Sequence, residues 1–117
     1  VAGGNINLQN NFGPIAICQM TVRNNIILHN NHKSIGVFDN RVGNNIQAIG
    51  NHSNAIRLRN NVMRGNLLVH SNVVAKQLQI QDNTIGGNGN CLGNVIAPVG
   101  SGNTAGGALA GQCSGLG

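Results

Sequence analysis

The amino-acid sequence predicts an all-β fold, a parallel β-helix (β-solenoid) of about five turns of 20–22 residues. Three observations predict it. A unit that starts with Gly-Asn or Asn-Asn recurs along the chain. Apolar residues within each unit alternate with a spacing of two, which is the periodicity of strands and not of helices. Asparagine and glycine, which suit sharp corners, are abundant, with 22 Asn and 18 Gly in 117 residues.

The first half of each unit aligns without gaps. The units start at Gly4-Asn5, Asn24-Asn25, Asn44-Asn45, Gly65-Asn66 and Gly87-Asn88, with spacings of 20, 20, 21 and 22 residues. Two residues after each start come Ile6, Ile26, Ile46, Leu67 and Gly89, and four residues after come Leu8, Leu28, Ala48, Val69 and Cys91. The residue seven positions after each start is always asparagine, namely Asn11, Asn31, Asn51, Asn72 and Asn94.

The second half of each unit repeats as well. Pairs of apolar residues spaced by two occur at Ile15/Ile17, Ile35/Val37, Ile56/Leu58 and Leu78/Ile80. Three of these pairs lead into Asn40, Asn61 and Asn83, each followed two residues later by Val42, Met63 or Ile85. Each unit therefore holds two or three short strands, and stacking the units about 4.8 Å apart builds continuous apolar columns. Parallel crossovers are almost always right-handed, so a right-handed solenoid is expected.

The invariant asparagines are interpreted as an inward ladder. An amide has both a donor and an acceptor, so Asn11, Asn31, Asn51, Asn72 and Asn94 can bond to one another or to the corner backbone. A polar binding stripe is the functional alternative for the same five residues. A leucine-rich repeat is the rival fold, because Leu78-x-Ile80-x-x-Asn83-x-Ile85 fits its signature, but both halves of the unit have strand spacing.

The segment GNLLVHSNVVAKQLQIQDNTIGGNGNCLGN resembles the Asn/Gly-rich right-handed parallel β-helix repeats of secreted actinobacterial proteins. It is more loosely similar to the repeat of pectin-degrading enzymes. The resemblance covers about residues 4 to 113 and includes a cysteine in the last full repeat and another near the C-terminus. Phe12, Pro14 and Cys18 depart from the pattern. The resemblance implies the fold and secretion, but not an activity, because fold does not determine function.

The chain is expected to divide into β-helix repeats at 1–99 and a glycine-rich C-terminal tail at 100–117 that closes the last turn. Cys91 and Cys113 are 22 residues apart, one repeat length, so a disulfide between them would pin this tail in an oxidising compartment. Two unpaired buried thiols are the alternative. Cys18 is left over, either as a small packing residue or as a link between chains. The chain begins at Val1, which fits removal of a leader but equally a trimmed sequence.

Composition narrows the classes of partner. The 40% apolar content excludes a disordered chain, and no apolar stretch reaches the roughly 18 residues of a membrane helix. The formal charge of +5 comes from scattered residues, which predicts weak attraction to anionic polymers but no specific nucleic-acid recognition. We therefore expect no membrane span and an anionic polysaccharide as a possible partner.

Neither a metal site nor an enzyme active site is expected, and no cofactor. His32 and His52 share a repeat position, as do His29 and His70, but no Cys or acidic residue completes a ligand set. The four are therefore expected to be exposed histidines near corners. Asp39 and Asp82, the only acids, lie two turns or about 9.6 Å apart on the strand spacing. That separation lies near the upper edge for an inverting glycosidase, but a substrate groove and aromatic platforms are not visible.

The ends of the solenoid carry the functional hypotheses. Ile6 and Leu8 would lie bare at the first turn, so a second copy stacking head to tail is the simplest cover and would give a fibre. A removed segment or a partner domain is the alternative cover. The first hypothesis is thus an extracellular structural module that self-assembles at the face formed by Ile6 and Leu8. A binding module for anionic cell-wall or matrix polysaccharide is the second, and a reduced polysaccharide lyase or hydrolase is the third.

Overall fold

The computed structural model describes residues 3–117, which form a β-solenoid of parallel strands without any helix in that range. The predicted fold class is confirmed. Val1 and Ala2, and with them the expectation of a removed leader, lie outside the described residues. Each of the first four turns contributes one strand to each of three parallel sheets, and the fifth turn contributes a strand to two of them and only isolated bridges to the other. The chain therefore advances by one strand spacing per turn.

Sheet 1 contains six strands, one from each of five turns and one from a partial sixth turn. They are β1 (Ile6–Gln9), β4 (Ile26–His29), β7 (Ile46–Ile49), β10 (Leu67–His70), β13 (Gly89–Leu92) and β15 (Leu109–Gly111). The register follows the alignment predicted from the sequence, since Ile6 pairs with Ile26 and Leu8 with Leu28.

Sheets 2 and 3 are built from the second half of each unit. Sheet 2 contains β2 (Ile15–Cys18), β5 (Ile35–Phe38), β8 (His52–Arg59) and β11 (Val73–Gln81). Sheet 3 contains β3 (Thr21–Val22), β6 (Arg41–Val42), β9 (Val62–Met63), β12 (Thr84–Ile85) and β14 (Thr104–Ala105). The extra residues of the longer third and fourth units lengthen β8 and β11, which are paired across a β-bulge.

The core is a set of columns of aliphatic side chains that point inward from the three sheets. Ile26, Ile46 and Leu67 stack in sheet 1, and each is at most 1% exposed. Ile56 and Leu78 continue this packing in sheet 2. Alternate residues of every strand face solvent, as strand geometry requires, so no side chain on the outer face contributes to these columns.

Two corners of each turn place one residue in the left-handed region of φ. At the corner between sheets 2 and 3, Gln19, Asp39, Asn60 and Asp82 have φ between 54° and 58°. At the corner between sheets 1 and 2 the equivalent residues are Asn10, Asn30, Gly50, Ser71 and Gly93. Small and polar residues tolerate this conformation. Each of them immediately precedes the ladder position of its corner, which is an asparagine in every case except Met20 after Gln19.

Residues 100–117 extend the solenoid as well as covering its end. Thr104–Ala105 pairs with β12, and Leu109–Gly111 pairs with β13, so these residues add strands to sheets 3 and 1. The chain then turns back, and Cys113 and Leu116 lie over the apolar columns with exposures of 1% and 6%. The core is thus closed at the C-terminal end.

Candidate functional site

The predicted asparagine ladder runs through the corner between sheets 1 and 2. The backbone N–H and the side-chain Nδ2 of Asn31 both donate to Oδ1 of Asn51 at 3.0 Å, and Asn31 Nδ2 also donates to the carbonyl oxygen of Leu8 at 3.0 Å. The same pattern joins Asn11, Asn31, Asn51, Asn72 and Asn94. The amides therefore satisfy buried corner backbone and one another, which is the structural interpretation and leaves no polar stripe open to a ligand.

The ladder ends on a glutamine that the sequence did not indicate. The backbone N–H and Nδ2 of Asn94 donate to Oε1 of Gln112, each at 2.9 Å, and Gln112 Nε2 donates back to the Asn94 carbonyl oxygen at 3.0 Å. Gln112 follows Asn94 by 18 residues, which is shorter than any repeat. Its longer side chain closes the gap that the short spacing leaves.

A second buried ladder follows the corner between sheets 2 and 3. It joins Asn40, Asn61, Asn83 and Asn103 through the same pairs of bonds to Oδ1, and it ends where Asn103 Nδ2 donates to the Leu116 carbonyl oxygen at 2.7 Å. At its other end the ladder position of the first turn is Met20, whose N–H donates to Asn40 Oδ1 at 2.9 Å. An apolar side chain thus replaces an amide at this position.

A third set of asparagines, at the start of each repeat, forms hydrogen bonds in the opposite direction along the solenoid. The N–H and Nδ2 of Asn25 donate to Oδ1 of Asn5 on the preceding turn, at 3.0 and 3.1 Å, and Asn45 N–H donates to Asn25 Oδ1 at 3.0 Å. In the two buried ladders the accepting Oδ1 lies on the following turn. These asparagines are half-buried or exposed, so they order the corner without being part of the core.

Cys91 and Cys113 form a disulfide with a Cα–Cα distance of 5.1 Å. Cys91 points inward from β13 and continues the column formed by Leu8, Leu28, Ala48 and Val69. The disulfide therefore ties the final turn to the core. Cys18 is a free, exposed thiol on the outer face of sheet 2.

The four histidines occupy two outer columns. Phe12 stacks on His32 with ring centroids 4.6 Å apart and planes 5° apart, and His52 follows at 6.4 Å. The expectation of exposed histidines near corners fits His32 and His52. It does not fit His29 and His70, which are half-buried in the column of Ile49 on sheet 1, with each Nε2 inaccessible to solvent.

The acidic residues lie at one exposed corner. Asp39 and Asp82 occupy equivalent positions two turns apart, with Asn60 between them, as the alignment predicted. Among residues 3–117 no group of three His, Cys, Asp or Glu residues is arranged to hold a metal ion.

The first turn presents a partly apolar end. Ile6, Leu8, Ile15 and Met20 are half-buried, whereas their counterparts in the next turn are buried. A depression of about 290 Å³ opens there, lined by Leu8, Asn11, Gly13, Pro14, Ile15 and Ala16. Oδ1 of Asn11 accepts no hydrogen bond from residues 3–117, although every other Oδ1 of its ladder accepts two. This end therefore has apolar surface and an unused ladder acceptor.

A groove of about 450 Å³ runs along the outer face of sheet 3 and is bordered by three exposed arginines, Arg23, Arg41 and Arg64. Val62 and Gly43 lie between them, and no carboxylate lines the groove. Sequence reasoning missed this cluster because the three residues are scattered along the chain. Thr21, Arg41 and Val62 pair directly across neighbouring strands, which brings the arginines of three turns onto one face.

Comparison with protein-family models, with curated proteins and with solved structures finds no match to the chain. No helix within residues 3–117 is long and apolar enough to cross a membrane.

Proposed function

We propose that this chain is an extracellular structural β-solenoid module that associates with a second copy of itself through its first turn. The observation that carries the proposal is the difference between the two ends. The apolar columns are covered by Cys113 and Leu116 at the C-terminal end, whereas Ile6 and Leu8 are half-buried at the other.

The first turn has the chemistry of an association surface. Its strands β1, β2 and β3 each form one edge of a sheet, and edge strands carry unpaired N–H and C=O groups that pair readily with another chain. Met20 adds apolar surface at a position where the next four turns carry asparagine. Burial of these side chains against a partner gains roughly 25 cal/mol per Å² of apolar area.

A pair of copies that meet at their first turns fits the geometry better than a head-to-tail fibre. A fibre requires that the open end of one copy stack on the far end of the next. In this chain the far end is covered by residues 112–117, which hold Leu116 against the core. Two first turns that face each other leave both covered ends outside and close the assembly.

An extracellular location is proposed on the basis of the disulfide. Disulfides persist in oxidising compartments and are rare in the cytosol, and the Cys91–Cys113 bridge closes the end of the core. We propose no catalytic activity, because the carboxylates of Asp39 and Asp82 lie on an exposed corner and neither lines the arginine groove.

Binding of an anionic polysaccharide is a second candidate function, favoured by the groove that Arg23, Arg41 and Arg64 border. The two candidates use different surfaces, since the groove lies on the side of the solenoid and the association surface at its end. The chain can therefore have both functions or either one alone.

Small-angle X-ray scattering at increasing protein concentration tests the self-association. The mean molecular mass follows from the forward scattering divided by protein concentration. This mass is expected to rise with concentration to a plateau at twice the mass of one chain. A mass of one chain at every concentration would contradict the proposal. A mass that keeps growing without a plateau would show that head-to-tail stacking, as expected from the sequence, occurs in spite of the covered end. The fibre would then replace the closed pair as the proposed assembly.

A further inference from the structure

The outer face of sheet 3 carries two columns of residues that differ in character. One column is formed by direct strand pairing and contains Thr21, Arg41, Val62, Thr84 and Thr104. The second column, two residues further along each turn, contains Arg23, Gly43, Arg64, Gly86 and Gly106. Basic residues occupy only the first three turns of these columns, and the later turns carry threonine hydroxyls and glycine backbone.

The spacing of the arginines follows from the solenoid. Arg23 and Arg64 occupy the same column two turns apart, which corresponds to about 9.6 Å of backbone separation. Arg41 lies on the intervening turn in the neighbouring column. Gly43 lies between Arg23 and Arg64 in the same column and lines the groove with them.

The charge of the groove is not neutralised by its lining. Asp39, the acid closest to Arg41 in sequence, lies on the corner and does not line the groove. Within residues 3–117, Arg57 on sheet 2 donates from Nε to Gln77 Oε1 at 3.1 Å, and the three groove arginines have no comparable side-chain acceptor. Guanidinium groups free of protein acceptors can form paired hydrogen bonds with an external carboxylate or sulfate.

We infer that this groove binds a linear acidic polysaccharide, with carboxylate or sulfate groups on successive sugars held by Arg23, Arg41 and Arg64. The inference rests on the second candidate function and is independent of self-association. A polymer that lies along the solenoid axis presents anions at regular intervals, and the arginines recur at the interval of the turns. The side chain of Val62, which is 47% exposed, offers an apolar contact to the C–H face of a sugar ring.

The lining favours a polysaccharide over a nucleic acid. Proteins that bind single-stranded nucleic acid stack bases on aromatic side chains, and no aromatic residue lines this groove. Threonine hydroxyls continue the column beyond the arginines at Thr84 and Thr104, where they can bond to sugar hydroxyls. The remaining cations, Lys33, Arg57, Arg59 and Lys76, lie outside the groove, so no long basic track for a duplex is formed.

Two double variants with the same change in charge test the site. Arg41→Gln/Arg64→Gln removes two groove cations, and the control Arg57→Gln/Arg59→Gln removes two cations from sheet 2, so each lowers the formal charge from +5 to +3. Binding is measured by isothermal titration calorimetry at physiological ionic strength. The probes are polygalacturonate for carboxylates, dextran sulfate for sulfates, neutral dextran, and a single-stranded oligonucleotide.

The groove variant is expected to bind an acidic polysaccharide roughly tenfold more weakly than wild type, because two exposed ion pairs are lost. The affinity of the control variant for the same polysaccharide should stay within about twofold of that of wild type. Melting temperatures close to wild type for both variants exclude misfolding, since all four arginines are exposed. Whichever of the two acidic probes binds more tightly identifies the anionic group.

Three results would overturn the inference. Equal losses in the two double variants would mean that net charge, and not the groove, governs binding; the site would then be wrong while the second candidate function stands. Absence of binding to either acidic polysaccharide would reject both the site and that function. Tighter binding of the oligonucleotide, with the same dependence on Arg41 and Arg64, would assign the groove to nucleic acid instead.

Discussion

Asn51 and Asn72 are joined across one turn by two hydrogen bonds to a single atom. The backbone N–H of Asn51 donates to Oδ1 of Asn72 at 3.0 Å, and Asn51 Nδ2 donates to the same oxygen at 2.9 Å. Both side chains are fully buried. Asn51 in turn accepts two bonds from Asn31, so each amide depends on the next turn for its partners.

Asn51→Leu should destabilise the protein without changing its fold class. The substitution leaves the N–H and Nδ2 of Asn31 without their acceptor and removes the donor to the Leu28 carbonyl oxygen. Each buried group left unpaired costs roughly 1–3 kcal/mol. Urea unfolding measures the loss, with Asn54→Leu at an exposed position of the same turn as the control. Equal unfolding midpoints for the two variants would show that the buried ladder contributes no stability.

Gly43→Ala should destabilise the protein because the corner has no room for a Cβ atom. An added Cβ would fall closer to the backbone oxygen of Arg23 than non-bonded atoms approach, and backbone cannot move aside as a side chain can. Overpacking of this kind costs roughly 1–3 kcal/mol. Gly13→Ala is the matched control, since nothing lies within 4 Å of its Cβ position. The two variants are compared by thermal unfolding, and equal melting temperatures would show that adjacent turns are not packed this closely.

Reduction of the Cys91–Cys113 disulfide should lower the free energy of unfolding by about 3 kcal/mol on the chain-entropy model for a loop of this length. Alkylation of the unfolded, unreduced protein followed by mass spectrometry should add one group, at Cys18. Prior reduction should raise this to three groups, the number of cysteines in the chain. Cys18→Ser should retain the stability of wild type and its response to reduction. Three adducts without reduction would exclude the bridge.

The apolar register was predictable from the sequence because buried columns require the same residue type at each turn. The pairs Ile6–Ile26 and Ile35–Ile56 follow directly from the alignment of the repeats. The partial sixth turn was not predictable in the same way. Residues 100–117 carry glycine at many positions and lack alternating aliphatic residues, so the sequence predicts only a tail that closes the last turn. Their strands form because the preceding turn offers an open edge.

Polar ladder positions were predictable only where the same residue type recurs at the same position of successive repeats. Asn11 and its equivalents share one repeat position, whereas Gln112 differs in both residue type and spacing. The arginine groove has no such signal, because Arg41 precedes the inward residue of its strand while Arg23 and Arg64 follow theirs. Only the pairing of strands shows that these offsets place the three side chains around one space.

Sedimentation equilibrium of wild type and two lysine variants tests the proposed association through the first turn most directly. Ile6→Lys places a charge on the half-buried end, and Leu92→Lys makes the same kind of change at an outward position of β13, where Leu92 is 49% exposed. Wild type and Leu92→Lys should approach the mass of two chains as concentration rises, and Ile6→Lys should remain a single chain with unchanged β-sheet circular dichroism. A single-chain mass for wild type at all concentrations, or association of Ile6→Lys equal to that of wild type, would contradict it.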